Sequence, residues 1–252
     1  MKPNSLPALP GKTKPYVLAH RGNKVLCPEN TLAAFRQALE DGADIIETDI
    51  HLSADGVFVC IHDATLDRTT NGRGPVCEKS LAELKKLSAH YHHPEFQGEQ
   101  IPTLSELMAL LPENAAVALE LKSDRFLEIQ VCNKLVAVLQ EGGVLERTVA
   151  LSFSLPRIKT LQTVQPDLHI GWITLSKIIP IKSANLLGPF WPILLANPFY
   201  VKIAHSRNQA VCPLDPNPDP RLWLYHLLGC DAVLTDNPQS TCPKMQRLKK
   251  RN

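Results

Sequence analysis

The stretch Ile45-Ile46-Glu47-Thr48-Asp49-Ile50-His51 decides how this chain is read. Successive side chains of a strand point to opposite faces. Glu47, Asp49 and His51 therefore share one face, and Ile46, Thr48 and Ile50 take the other. Three ionisable groups in a row on an otherwise apolar strand are costly unless they are paired or bound to a metal. The plainer reading is an edge strand with one wetted face. The flanking isoleucines, and the apolar run 58–61 that follows a short loop, argue against it.

Outward from this segment, short apolar strand candidates alternate with amphipathic helix candidates. Strands are predicted at 16–20, 45–51, 58–62, 117–122, 148–153, 169–173, 210–214 and 232–235, with a weaker ninth at 199–203 that finds no place. Helices are predicted at 31–40, 105–110, 126–140, 156–164 and 221–228. In the first, Leu32, Phe35, Ala38 and Leu39 fall at helical spacing, Asn30 or Thr31 is the N-cap and Gly42 the stop. Alternation of this kind predicts a parallel sheet, and eight such strands close into a (β/α)8 barrel. The 252 residues suit one barrel domain over 1–252. The alternation lapses over 63–102, which reads as a small insertion after the third strand, about 64–102, with one helix near 81–87. Residues 208–220 are proline-rich and read as mostly irregular.

Composition narrows the partners. A formal charge of +2 is too small to argue for nucleic acid. The basic run Lys244, Arg247, Lys249, Lys250 and Arg251 reads as a solvated tail. Seven scattered cysteines with no CxxC pair suit a reducing compartment, with Cys60 and Cys132 as buried apolar residues. No signal-peptide core or transmembrane-length apolar run occurs, so the expected location is the cytoplasm.

The chemistry gathers at strand ends. The first strand ends in His20-Arg21-Gly22, the third in His62-Asp63, and on the fourth Glu120 and Lys122 share a face. The C-terminal ends of barrel strands are where active sites form. Glu47, Asp49 and Glu120 make an all-oxygen donor set, which suits a hard divalent metal such as Mg2+ or Ca2+. Arg21 and Lys122 are fixed cations fit for a phosphate. His20 and His62 can supply a general acid and a general base. Together these groups suggest phosphodiester cleavage.

The run from His20-Arg21-Gly22 through Pro28-Glu29-Asn30-Thr31, Glu47-Thr48-Asp49, Asp55-Gly56, His62-Asp63 and Leu66-Asp67-Arg68-Thr69-Thr70 resembles the signature of the glycerophosphodiester phosphodiesterase family. Glu120-Leu121-Lys122, Ser152-Phe153 and Leu234-Thr235-Asp236-Asn237-Pro238 resemble its later motifs, in order. The resemblance implies a (β/α)8 TIM barrel that hydrolyses a small-molecule glycerophosphodiester to glycerol 3-phosphate and an alcohol. It implies His20 and His62 as the acid–base pair, Glu47, Asp49 and Glu120 as metal ligands, and Arg21 and Lys122 as phosphate contacts. It puts Glu29 at the site, orienting Arg21 or His20, with His51 and Asp63 around it. Gly22, Gly42 and Gly56 are expected to serve turns, Asn30 to cap the first helix, and Arg68, Thr69 and Thr70 to hold the loop after the third strand. Asp236 is either a site residue or a turn former before Pro238. His90, His92 and His93 are expected at the surface.

One departure stands out. Where many members carry a Trp-Thr-Val-Asn-like strand, this chain reads Leu214-Asp215-Pro216-Asn217, and Trp172 is expected to supply an aromatic platform instead. The apolar segment 178–198 reads as a barrel helix with its packing, or more sharply as a rim for a lipid-like substrate. Two alternatives stay open: a lysophospholipase D-type activity releasing lysophosphatidic acid, and a non-catalytic barrel that binds a phosphorylated metabolite.

Overall fold

The structure is a computed structural model and describes residues 6–250, so Arg251 of the basic run lies outside the described residues. Among the described residues nine strands form in chain order: β1 (Tyr16–His20), β2 (Ile45–Leu52), β3 (Phe58–Cys60), β4 (Ala116–Leu121), β5 (Thr148–Ser152), β6 (His169–Thr174), β7 (Leu186–Pro189), β8 (Ala210–Val211) and β9 (Ala232–Thr235). The helices are α1 (Leu32–Glu40), α2 (Leu81–Leu84), α3 (Leu104–Met108), α4 (Ile129–Glu141), α5 (Leu155–Val164), α6 (Pro192–Ala196), α7 (Tyr200–His205), α8 (Leu222–Leu228) and α9 (Pro238–Lys249).

Eight strands run parallel in the order β8-β7-β6-β5-β4-β2-β1-β9, and β3 pairs with β2 from outside that path. The ring is nearly closed. Across the seam the Asp231 amide donates to the Val211 carbonyl, and the Val211 amide donates to Asp231 Oδ2, both at 2.9 Å. Alternate residues divide into two layers. Leu18, Ile45, Ala118, Leu151 and Leu234 fill the barrel interior. Their neighbours Val17, Ile46, Val117, Ala150 and Val233 pack outward with the helices. Gly171 also faces inward, and a Cβ there would lie 2.3 Å from Leu151 Cδ2, so glycine is what lets Leu151 fill that space.

The barrel class expected from the sequence holds, but its membership differs at three places. The segment 58–62 is not a barrel strand. β3 is antiparallel to β2, with Cys60 opposite Ile50, because five residues between the two strands allow a hairpin and not a parallel crossover. Its place in the ring is taken by β7, the sixth barrel strand in chain order, inside the apolar segment that read as helix. Residues 199–203, the unplaced strand candidate, fall largely in α7. The excursion between β2 and β4 carries its own small core around Val59, Leu66, Leu84 and Ile101.

The basic C-terminal run is not a tail. Most of it lies in α9, where Met245 is buried, Lys244 pairs with Asp219, and Lys249 Nζ donates to the Thr13 carbonyl. Among the described residues no helix is long and apolar enough to cross a membrane.

Candidate active site

The β1–α1 turn is shaped by backbone that ordinary residues avoid. Arg21 sits at φ 60° and Gly22 at φ 81°. A Cβ on Gly22 would lie 2.6 Å from the Ala34 carbonyl carbon, so only glycine lets the turn lie against α1. This turn brings the Arg21 amide to Glu47 Oε2 at 3.0 Å. It also inserts the guanidinium between two carboxylates: Nη1 donates to Glu29 Oε1 at 3.0 Å, and Nε lies 3.1 Å from Asp49 Oδ2. Glu29 therefore orients Arg21 and not His20.

Asn30 does not cap α1; the Thr31 hydroxyl does, accepting the Ala34 amide. Asn30, buried and also left-handed at φ 56°, donates to Asp49 Oδ2 at 2.9 Å and accepts from the Thr48 hydroxyl at 2.7 Å. An apparent cap is thus a brace for a buried carboxylate.

Glu47, Asp49 and Glu120 are all buried, and each offers an oxygen within 4.8 Å of the others. Glu47 and Asp49 come from β2, and Glu120 lies opposite Asp49 in the parallel register of β2 with β4. Lys122 Nζ reaches Asp49 Oδ1 at 3.0 Å and Glu120 Oε1 at 2.8 Å. Burial, together with the charges of Asp49 and Glu120, pushes the Glu47 carboxyl well up. Burial also raises Glu120, against the opposing pull of Lys122. For Asp49 burial acts upward, but Lys122 and Arg21 outweigh it and hold the group down at about 2.

The donor set fits a hard cation. All three donors are oxygens, and Asp49 Oδ1 is buried without a well-aligned hydrogen bond despite its closeness to Lys122. Three carboxylates also outnumber the two cations among them, so a further positive charge would relieve the repulsion that raises Glu47.

Each predicted catalytic histidine has a carboxylate behind it. His20 Nδ1 lies 2.7 Å from Asp236 Oδ1, and Lys24 Nζ lies 3.1 Å from the other oxygen of Asp236. His62 Nδ1 lies 2.6 Å from Asp63 Oδ1. With Nδ1–H given to the carboxylate, the Nε2 of each ring stays clear of that contact. Burial is the largest influence on both rings and lowers both below the usual 6.5, against the upward pull of the carboxylates. His51 meets the carbonyl of His62 through Nε2 at 3.2 Å, which ties β2 to the segment following β3.

Arg68 joins the two sides. Its Nε donates to Asp63 Oδ2 at 2.6 Å, and Nη2 donates to Glu29 Oε1 at 2.8 Å. Its guanidinium lies 5.7 Å from the ring centre of Tyr91 in the excursion. Lys24 escapes sequence reasoning, because its partner Asp236 is distant in the chain; Arg68, expected to hold its loop, bonds to Asp63 within it and also reaches Glu29. Asp236 carried the best signal, at the end of a barrel strand.

Trp172 does not line the site. It falls on the outer face of β6, between the inward positions Gly171 and Ile173, and its indole donates to the Phe153 carbonyl at 3.1 Å. The departing stretch at 214–217 has a structural use. Arg221 and the Tyr225 hydroxyl both bond to Asp215, and the Arg221 guanidinium lies 4.3 Å from the Trp191 ring centre. A pocket opens over the barrel, with His20, Glu47 and Glu120 on one side and Leu151, Ile173, Leu186 and Leu214 on the other.

The sequence profile of the Glycerophosphoryl diester phosphodiesterase family matches residues 20–240. A glycerophosphodiester phosphodiesterase of Caldanaerobacter subterraneus subsp. tengcongensis is 34% identical over 235 residues, covering 90% of this chain and 96% of the relative. One from Bacillus altitudinis is 28% identical over 247 residues, covering 92% and 99%. Among solved structures, an Oleispira antarctica phosphodiesterase in complex with the product sn-glycerol-3-phosphate superimposes with a TM-score of 0.80 at 30% identity, covering 94% of this chain and 97% of that one. The chain belongs to the glycerophosphoryl diester phosphodiesterase family and is a phosphoric diester hydrolase.

Proposed function

We propose that this protein hydrolyses glycerophosphodiesters to glycerol 3-phosphate and an alcohol, with a divalent cation and a histidine pair at the barrel mouth. The observation that carries the reading is the meeting of three buried carboxylates, two cations and two histidine–carboxylate pairs at one set of strand ends. Glu47, Asp49 and Glu120 would hold the metal, Mg2+ or Ca2+, which when bound offsets the charge of a non-bridging phosphate oxygen. Arg21 and Lys122 stabilise charge that grows on the phosphoryl oxygens in the transition state. One histidine accepts at Nε2 the proton of the attacking oxygen, from water or the neighbouring glycerol hydroxyl; in the second case water then opens the cyclic phosphate to glycerol 3-phosphate. The other gives a proton from Nε2 to the leaving alcohol oxygen as the P–O bond breaks. Asp236 and Asp63 hold Nδ1–H on both rings, so that Nε2 exchanges the proton: bare on the ring that acts as base, and protonated, with the ring cationic, on the one that acts as acid.

The test is turnover of glycerophosphocholine. His20→Ala and His62→Ala should each lower kcat by about 10²- to 10⁴-fold. Chelation should abolish activity and added Mg2+ or Ca2+ should restore it. Wild-type turnover in both variants, or activity indifferent to chelation, overturns the proposal.

A further inference from the structure

A long stretch of the chain carries basic side chains and no acid. Between Asp167 and Asp215 there is no Asp or Glu, yet Lys177, Lys182, Lys202 and Arg207 all fall there, in a chain whose formal charge is only +2. The three lysines are exposed. Arg207 donates to a carbonyl, and among the described residues no carboxylate pairs with any of the four.

The fold gathers this stretch on one flank of the barrel, on the outside of the ring. Among the described residues the link from β6 to β7 contains no helix and runs as an irregular strap beside α6 and α7. Asn197 Nδ2 donates to the Ile178 carbonyl at 2.8 Å, Arg207 Nη1 to the Pro180 carbonyl at 2.6 Å, and Gln209 Nε2 to the Ile181 carbonyl at 2.8 Å. The strap is thus fastened by its backbone, and its aliphatic side chains stay outside. Ile178 is 53% exposed and Ile179 62%, with Leu195 at 55% and Phe199 at 66% beside them. The inward faces of the two helices are already filled by Ile193, Leu194, Tyr200 and Val201, so the core has no use for Leu195 and Phe199. Phe199 and Lys202 line one shallow depression together.

We infer that this flank rests on a lipid surface containing anionic headgroups. Ile178, Ile179, Leu195 and Phe199 enter the boundary between headgroups and acyl chains, and Lys177, Lys182, Lys202 and Arg207 meet lipid phosphates. The charge selects the occupant. A second copy set face to face about a two-fold axis would put lysine against lysine with no carboxylate from this stretch between them. An anionic surface is the complement. The run Lys177-Ile178-Ile179-Pro180-Ile181-Lys182 also suits it, since flanking ammonium groups reach headgroup level while the aliphatic groups between them sink. Attachment of this kind is independent of the chemistry proposed for the barrel mouth.

Flotation of the full-length chain with vesicles tests the inference, using phosphatidylcholine alone and phosphatidylcholine mixed with phosphatidylglycerol. The mixed vesicles should carry the chain at low salt, and high salt should release most of it. Lys177→Gln, Lys182→Gln and Lys202→Gln should each weaken partitioning about fivefold. Ile179→Ser and Phe199→Ser should do so by about fivefold or more. Lys86→Gln, at an exposed lysine in the excursion between β2 and β4, should change nothing. Unchanged melting temperatures establish that the variants are folded. No flotation of the wild-type chain with mixed vesicles at low salt overturns the inference. So does equal flotation with both vesicle types, or an equal loss in Lys86→Gln, which would mean diffuse charge attraction. A dimer in sedimentation that Phe199→Ser dissociates would give the flank to a second copy and overturn it as well. Each of these results leaves the phosphodiesterase reading untouched.

Discussion

Asp236 governs His20 through a single contact. Its carboxylate accepts Nδ1–H at 2.7 Å, fixing the tautomer and pulling the ring's pKa upward against burial, which lowers it. In Asp236→Asn the amide would donate to Nδ1 and move the proton to Nε2, the wrong nitrogen for a base. We expect kcat to fall by roughly two orders of magnitude or more. The sign of the pH effect follows from the same contact. Removing a group that raises the His20 pKa must lower it further, so the limb of kcat/KM that His20 sets, the acid limb if it is the base and the alkaline limb if it is the acid, moves to lower pH. A pH–rate profile of both enzymes checks this, and an unmoved limb would show that His20 is not the group titrating. At this scale the sequence was most informative about identity and least about partnership. The acids, the bases and the cations could be named in advance. That Asn30 braces Asp49, that Glu29 holds Arg21 rather than His20, and that Trp172 faces the helices could not, because these depend on turn geometry and strand facing rather than residue type.

Elements show where local pattern suffices. The helix α3, expected at 105–110, forms at Leu104–Met108, and its start is held by a capping box: Thr103 accepts the Glu106 amide, and Glu106 accepts the Thr103 amide at 2.7 Å. Burial pushes the Glu106 carboxyl up, but Lys85 and the Thr103 amide outweigh it, so its pKa in the folded chain lies below the ordinary 4.5. A depressed carboxylate stabilises the fold above its unfolded pKa and loses that contribution as pH falls through the folded value. Glu106→Gln should therefore cost about 1 kcal/mol or less at neutral pH, the Lys85 pair being partly screened, and nearly nothing at pH 3. Urea unfolding at both pH values measures the difference. The weak elements were misread for a shared reason. A short apolar run is compatible with strand or helix until its neighbours are known. Residues 58–60 are a strand in either reading, but only pairing makes them antiparallel, and 186–189 become a strand because β6 and β8 flank them.

The whole barrel depends on its seam. Asp231 Oδ2 accepts the Val211 amide and lies 2.9 Å from His205 Nε2, while Oδ1 takes Lys14 Nζ at 3.1 Å. Asp231→Ala would leave the buried Val211 amide without its acceptor, at a cost of about 1–3 kcal/mol. It should also speed hydrogen exchange in β8 and β9 before other strands. Uniform exchange across the barrel would contradict a role confined to the seam.

The sequence by itself determined the barrel class and the chemical inventory of the mouth, because strand periodicity and residue type are local properties. Which eight strands make the ring was decided only by tertiary structure. So were the pairing of each histidine with its carboxylate and the division of the opening into charged and apolar halves. Each of these is set by which strands become neighbours, and that choice belongs to the packing of the whole chain.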